Sequence, residues 1–554
     1  MTNQTHHAKP TVAERALFRD TSASSGICFY PGRGEGTHLR YAELLPLIRG
    51  AAEGLRAQGL GPGDRFLWVA TGDLDGVRAF LGGLILGAIP IPVAPPRTIS
   101  GPGAWQAHVD AVRLALHPKA LVGLETWLEL AVDSQLPLIP AETLPQDGPP
   151  VDSDPSTWEH VQLTSGSTAA PKGVRVPFSN VRANSYQIGW GSEVRPGDVV
   201  VSWLPLYHDM GLVGTLLFAI YWNLDLVLMS PLTFLRRPRR WLEAISTYKG
   251  SLSPAPAFAY GYVARRVPAK RLEGLDLSSW RVAYCGAEPV HPPALRGFAE
   301  HLAPAGFRAT SLLPCYGLAE ATLAVTFTPH QRGLRSRTLS RAELAAGSVR
   351  PPDPADEHDA LEVALLGPAL PTTRVELRDP IHGQDPTPAG EVGEIWLHGP
   401  QLTPGYLDDA AANAMSHRDG WLRTGDLGSW IDGELAVLGR SKELIIVRGR
   451  NHAPIDLEWA AGEVEGLDAA SCCAFAAPGP DGNEAAVIAC EVPKDHPDPA
   501  ALPDPVRKAV RRKTGIDLLE VVLLPPRAIP RTTSGKLQRG RVRERYLEGT
   551  LRPA

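Results

Sequence analysis

Six cysteines, Cys28, Cys285, Cys315, Cys472, Cys473 and Cys490, are spread over 554 residues without paired CxxC spacing or histidines in a ligand pattern. That argues against a disulfide framework and a zinc site, and a reducing, cytoplasmic compartment is expected. Long apolar runs are also missing. The most apolar stretch, 80–93 (FLGGLILGAIPIPV), is shorter than the roughly 20 residues of a membrane span and holds two prolines. It reads as a buried helix running into a strand, so no stable membrane insertion is expected. The opening MTNQTHHAKP lacks a charged segment followed by an apolar core, which predicts no secretory leader. Positive charge is not in excess. The formal net charge of −5 gives no reason to expect nucleic acid, and the basic stretches at 508–513 and 539–545 read as solvated helix faces. No repeat of about 20 to 50 residues is visible, which removes solenoids and propellers.

What is present is an ordinary globular composition, 44% hydrophobic and 21% charged, in a chain too long for one core of usual size. Helical patterns such as 41–59 (YAELLPLIRGAAEGLRAQG) alternate with short apolar runs such as 65–70 (RFLWVA), 225–229 (DLVLM) and 281–284 (RVAY). Such alternation, with Gly and Pro at the joins, predicts an α/β fold on largely parallel sheets flanked by helices. The Pro- and Asp-rich 140–155 reads as a surface connection. The polar, acidic, proline-bearing 342–362 reads as a flexible insertion. After Gly439 the composition changes, and the last 110 or so residues suit a separate small domain. The expected division is 1–440 and 441–554.

The loop TSGSTAAPKG at 164–173 carries the first chemistry. Thr164, Ser165, Gly166, Ser167 and Thr168 follow an apolar run, HVQL, and Lys172 and Gly173 precede another. Small hydroxyl residues and glycine let backbone N–H groups close on phosphate oxygens, while the hydroxyls and Lys172 donate charge-assisted hydrogen bonds. The loop is not a P-loop: Gly166 and Lys172 are wrongly spaced, and no Ser or Thr follows the lysine. Taken alone, it is also compatible with an ordinary surface turn.

With its neighbours, this loop resembles the [ST]SG[ST]TGxPKG motif of the adenylate-forming superfamily of acyl-CoA synthetases, luciferases and adenylation domains. Ala169 stands where glycine is usual. The resemblance continues along nearly the whole chain and implies a large N-terminal domain with a distorted β-barrel subdomain, followed by a small mobile α+β domain. It implies that His208, in WLPLYHDMGLVG, borders the acyl pocket near the reacting carboxylate. Gly286, Ala287 and Glu288, then Tyr316 and Gly317, match the adenine-binding segments, and Glu320, with Thr168, matches the Mg²⁺ site. A hard cation with oxygen ligands is what a pyrophosphate leaving group needs. Asp426, in WLRTGDL, matches the aspartate that grips the ribose hydroxyls, as a carboxylate accepting two hydrogen bonds can. Arg440 matches a second ribose contact, and Lys442 and Glu443 the interdomain hinge, with Glu443 where aspartate is usual. Lys536, in PRTTSGKL, matches the lysine that contacts carboxylate and α-phosphate during adenylation. A compact positive charge suits the negative charge gathering there.

Within the superfamily the chain resembles the fatty acyl-AMP ligases, through SWLPLYHDMGLVG, PAPAFAY (254–260), CGAEP, CYGLAEATL and GRNHAPIDLE (449–458). That group carries an insertion before the GEIW strand, here 338–367 before 393–396, which implies a restraint on the domain movement that favours CoA. The resemblance thus implies ATP and Mg²⁺ as cofactors, a fatty acid of medium to long chain as substrate, and a separate holo acyl carrier protein as acceptor. A fatty acyl-CoA ligase is the alternative. An amino-acid adenylation domain is disfavoured by His208-Asp209, and a nucleotide-binding regulator without catalysis by the presence of Glu320 and Lys536.

Overall fold

Alternating apolar runs and amphipathic segments become two mainly parallel sheets. The computed structural model describes residues 10–551 apart from 21, 97–101, 132, 165–170, 357, 381, 382, 384, 448, 481, 482, 533 and 534. Eight strands form the larger sheet, in the order Ala324–Phe327, Leu312–Gly317, Val282–Gly286, Leu252–Pro256, Val199–Ser202, Asp225–Met229, Gly26–Tyr30 and Thr37–Arg40. The six inner strands run parallel, and the outermost strand at each edge is antiparallel. A second, wholly parallel sheet orders Ile89–Val93, Arg65–Val69, Ala120–Gly123 and Leu138–Pro140. Its first three strands are buried on both faces, hence their continuous apolar character.

Local sequence explains the crossovers. Helix Leu74–Leu86 starts where the Asp73 side chain accepts the N–H of Gly76, and it ends on Gly87 in the left-handed region, φ 81°. The chain then enters strand Ile89–Val93, the helix-into-strand step expected for 80–93. The 140–155 connection is tied down from beneath: the Arg78 guanidinium, fully buried, donates to the carbonyls of Ala141, Leu144 and Pro145 at 2.8–3.0 Å.

An antiparallel sheet follows, with strands Arg374–Arg378, Gly393–His398, Trp421–Ile431, His417–Arg418 and Glu434–Arg440. The residues from Ile445 on gather two apolar clusters of their own around the sheet Cys472–Pro478, Glu484–Glu491 and Glu520–Leu524. Helices Pro454–Ala461, Pro503–Thr514 and Arg539–Leu547 cover it.

Two sequence expectations hold only in part. The segment 338–367 is irregular only in part: Arg335–Ser340 and Ala360–Leu365 pair as an antiparallel hairpin, and Arg341–Ala345 is a short helix. Asp359, buried, organises it by accepting from the N–H groups of Ala342 and Asp353 and from the Ser340 hydroxyl, each at 2.9 Å. Burial pushes this carboxyl up, but those bonds outweigh it and hold it below its ordinary value. The polar composition that suggested flexibility supplies these internal bonds. The 539–545 stretch is likewise not wholly a solvated face. Arg539 turns inward to Glu458, which is fully buried, at 2.7 and 2.8 Å, and to Glu443 at 2.8 Å.

Candidate active site

The site lies beyond the carboxyl ends of four adjacent parallel strands, where open α/β sheets place their ligands. Strands Leu312–Gly317, Val282–Gly286, Leu252–Pro256 and Val199–Ser202 lie side by side and lead into Tyr316 to Glu320, Ala287 to Glu288, Phe258 and His208 respectively. Close approach explains the small residues. A Cβ on Gly286 would stand 2.8 Å from the Cys315 sulfur, and one on Gly317 would stand 1.8 Å from the Leu323 carbonyl oxygen. Ala287 holds φ at +66°, a conformation an L side chain rarely adopts, which concentrates strain at the turn after the strand.

Asp426, 6% exposed, is held from two sides: the Tyr316 hydroxyl donates to Oδ2 at 2.7 Å and Arg440 Nε to Oδ1 at 2.7 Å. Burial and the Asp426 carboxylate push the Tyr316 phenol far up, so it stays a donor. Arg440 is raised by the same carboxylate. Three residues called from distant stretches of sequence therefore form one unit. Its backbone is fixed by Glu394, which accepts from Gly425 N–H at 3.1 Å and from Arg423 at 2.8 and 2.9 Å.

A second unit joins Lys172 to Glu320 through Tyr406. The Tyr406 hydroxyl donates to Glu320 Oε1 at 2.6 Å, and Lys172 Nζ lies 5.3 Å from the centre of its ring. Lys172 also lies 3.3 Å from Asp409. Backbone pairing sets this register: Leu407 N–H donates to the Gly173 carbonyl at 2.7 Å and Arg175 N–H to that of Gly405 at 3.0 Å. Thr164 pairs with Lys172 across the hairpin Glu159–Thr164 and Lys172–Pro177. Ser165, Gly166, Ser167 and Thr168 lie outside the described residues. Tyr406 and Asp409 were not singled out from sequence; only the stretch TPGYLDD, which resembles an ordinary turn, marks them.

The third unit carries the imidazole. His208 Nδ1 lies 2.6 Å from Asp209 Oδ1 and 3.3 Å from the Met210 N–H nitrogen, contacts that fix the ring's orientation. Burial pushes the Asp209 carboxyl up, yet His208, then Lys536 and the Met210 N–H, bring it below its ordinary value. Glu288 accepts from Phe258 N–H at 3.3 Å, and burial raises its carboxyl against the opposing charges of Lys536, Arg531 and His208. Lys536, from the last segment of the chain, thus bears on Asp209 and Glu288 together. Lys442 is exposed in the turn Ser441–Glu443, and Glu443 is anchored to Arg539. The longer side chain of Glu443, compared with aspartate, spans that gap.

Among the described residues no three His, Cys, Asp or Glu side chains cluster as a metal cage. A single carboxylate, Glu320, suits Mg²⁺, which is typically held by one or two carboxylates together with substrate phosphates.

Residues 13–407 match the family model described as AMP-binding enzyme. The chain belongs to that family. It is 36% identical to a Caulobacter vibrioides (strain NA1000 / CB15N) protein named "Putative acyl-CoA synthetase", over 98% of this chain and 96% of that protein. It is 34% identical to the medium-chain-fatty-acid–[acyl-carrier-protein] ligase JamA of Moorena producens (strain JHB), over 94% and 92%. A solved structure from a study of fatty acyl-adenylate ligases from E. coli and L. pneumophila superposes with a TM-score of 0.89 at 33% identity, covering 98% of both chains.

Proposed function

We propose that this enzyme activates a medium- to long-chain fatty acid as its acyl-AMP and passes the acyl group to the phosphopantetheine thiol of a separate acyl carrier protein. The observation that carries the reading is Asp426, buried beside the carboxyl ends of the parallel strands and held by the Tyr316 hydroxyl and by Arg440 Nε at 2.7 Å each.

In the first half-reaction a carboxylate oxygen of the fatty acid attacks the α-phosphorus of ATP in line. The new O–P bond forms as the bond to pyrophosphate breaks, and pyrophosphate leaves with the electron pair. No protein nucleophile takes part, so positioning and counter-charge supply the catalysis. Asp426, with Tyr316 and Arg440 on its oxygens, grips the ribose hydroxyls. Gly286, Ala287, Glu288 and Gly317 bring backbone against the adenine, with the Tyr316 ring beside it. Thr164, Ser165, Gly166, Ser167, Thr168 and Lys172 take the triphosphate, and Lys536 neutralises charge between carboxylate and α-phosphate. His208, oriented by Asp209, lines the approach of the acid. Glu320 and Thr168 would hold Mg²⁺, which would supply counter-charge to the pyrophosphate. The turn Ser441–Glu443 is the hinge between 1–440 and 441–554.

Acyl-CoA formation is the second reading, favoured by the name of the Caulobacter relative. Against it stands the insertion by which the chain resembles the fatty acyl-AMP ligases, whose Arg341 lies 3.0 Å from Asp456 of the C-terminal segment. Incubation with ATP, fatty acids of graded length and either CoA or holo carrier protein is the test. Carrier acylation with little acyl-CoA is expected; rapid acyl-CoA formation overturns the acceptor. Lys536→Ala should retain ATP binding while ATP–pyrophosphate exchange falls about 10²- to 10³-fold.

A further inference from the structure

Away from the nucleotide, Arg236, Arg237, Arg265, Arg266, Lys270 and Arg271 stand exposed on one face. Contacts between their elements bring them together. The Tyr262 hydroxyl donates to the Leu235 carbonyl at 2.7 Å, Arg239 Nε donates to the Arg271 carbonyl at 2.7 Å, and the Arg266 guanidinium lies 5.7 Å from the Tyr262 ring centre. Leu235, 44% exposed, sits among them. Of the six, only Arg265 has a carboxylate partner among the described residues: Asp468 of the C-terminal segment, at 2.5 Å. Like charges gathered in this way repel one another unless an anionic partner covers them.

Both helices that carry these cations are rooted at the site. On helix Pro231–Arg236, Phe234 stacks on Trp203 at 3.8 Å, five residues before His208. Helix Ala257–Arg266 begins beside Phe258, whose N–H meets Glu288, and its ten residues carry the chain ~15 Å outward to Arg265 and Arg266. That is a distance an extended phosphopantetheine arm spans. The pair Arg265–Asp468 also places the patch at the seam between the two parts of the chain.

We propose that this face docks the acyl carrier protein, which must therefore present an acidic surface around its phosphopantetheine arm. The inference rests on the carrier-protein reading above. The six cations steer and orient the carrier, Leu235 provides an apolar contact, and the thiol enters along helix Ala257–Arg266. There the sulfur forms its bond to the acyl carbon. The acyl C–O bond to phosphate breaks, AMP leaves with the electron pair, and the thiol proton passes to solvent. When the C-terminal part turns, Asp468 leaves Arg265, which then takes a carboxylate of the carrier.

The test is the double variant Arg236→Glu/Arg237→Glu in the full-length enzyme, with three readouts: ATP–pyrophosphate exchange, acylation of free pantetheine, and acylation of a holo acyl carrier protein with an acidic surface around its phosphopantetheine arm. The expected result is a fall of about 10- to 100-fold in kcat/KM for the carrier, mainly through KM, with exchange and pantetheine acylation unchanged. Raised salt should weaken the wild type toward the variant. Unchanged carrier kinetics overturns the docking face alone. A wild type that acylates pantetheine or CoA but no carrier overturns the acceptor reading and the docking face with it. Binding to phosphatidylglycerol vesicles that the variant loses, with carrier kinetics intact, assigns the patch to a membrane and overturns the proposal.

Discussion

Tyr406 links the cation of the phosphate-loop hairpin to the carboxylate proposed for the metal, because its ring meets Lys172 and its hydroxyl meets Glu320. Groups that orient a metal-binding carboxylate typically matter about 10-fold or more in metal affinity or activity. Tyr406→Phe should therefore raise the Mg²⁺ concentration for half-maximal ATP–pyrophosphate exchange about 10-fold while leaving the fatty-acid KM in place. A titration of exchange against Mg²⁺ checks this. His160 shows another single-residue effect. Burial pushes its imidazole down from its ordinary value near 6.5 to about 3, with Asp209 opposing, and its Nε2 lacks a partner among the described residues. The folded chain keeps it neutral while the unfolded chain takes a proton below pH 6.5. Stability from this group is therefore intact above about 6.5 and is lost toward pH 3 at ~1.4 kcal/mol per pH unit. His160→Gln should flatten the acid limb of a plot of unfolding free energy against pH, measured in urea.

At the scale of elements, Arg539 decides how the final helix joins its domain. It satisfies Glu458, fully buried, on helix Pro454–Ala461, and it reaches Glu443 in the turn Ser441–Glu443. Removing one partner of a buried pair leaves an uncompensated charge, at a cost of ~3–5 kcal/mol. Arg539→Ala should therefore melt the C-terminal part before the rest, as a separate early transition in calorimetry. Glu443→Asp, which only shortens the outer contact, should not. The insertion hairpin follows the same logic. Its acidic residues read as flexible in the sequence, yet Asp359 spends its carboxylate on Ala342, Asp353 and Ser340 and holds Arg341 toward Asp456.

At the scale of the whole molecule, Arg341–Asp456 and Arg265–Asp468 tie the end of the chain to the body. Locking it there should separate the half-reactions. A bismaleimide crosslink between Arg341→Cys and Asp456→Cys should preserve ATP–pyrophosphate exchange and abolish carrier acylation, followed in the same sample by exchange and by mass of the carrier. Equal acylation with and without crosslinker would show that rotation is not needed.

The α/β alternation, the helix-into-strand step at 80–93 and the order of motifs were legible because they rest on local properties: periodicity, turn residues, and short runs of Gly, Ser, Thr and Lys. By itself the sequence determined the class of fold and the family that residues 13–407 match. Pairings between residues far apart in the chain were not legible. The bonds from Tyr316 and Arg440 to Asp426 span 110 and 14 residues, and that from Tyr406 to Glu320 spans 86. Tyr406, Asp409 and the inward turn of Arg539 carry no local signature, since a tyrosine in a turn and an arginine in a basic run look alike whether free or engaged. Only the tertiary structure decided these, because the register of sheets and the docking of domains select which side chains meet, and neither is written in any one segment.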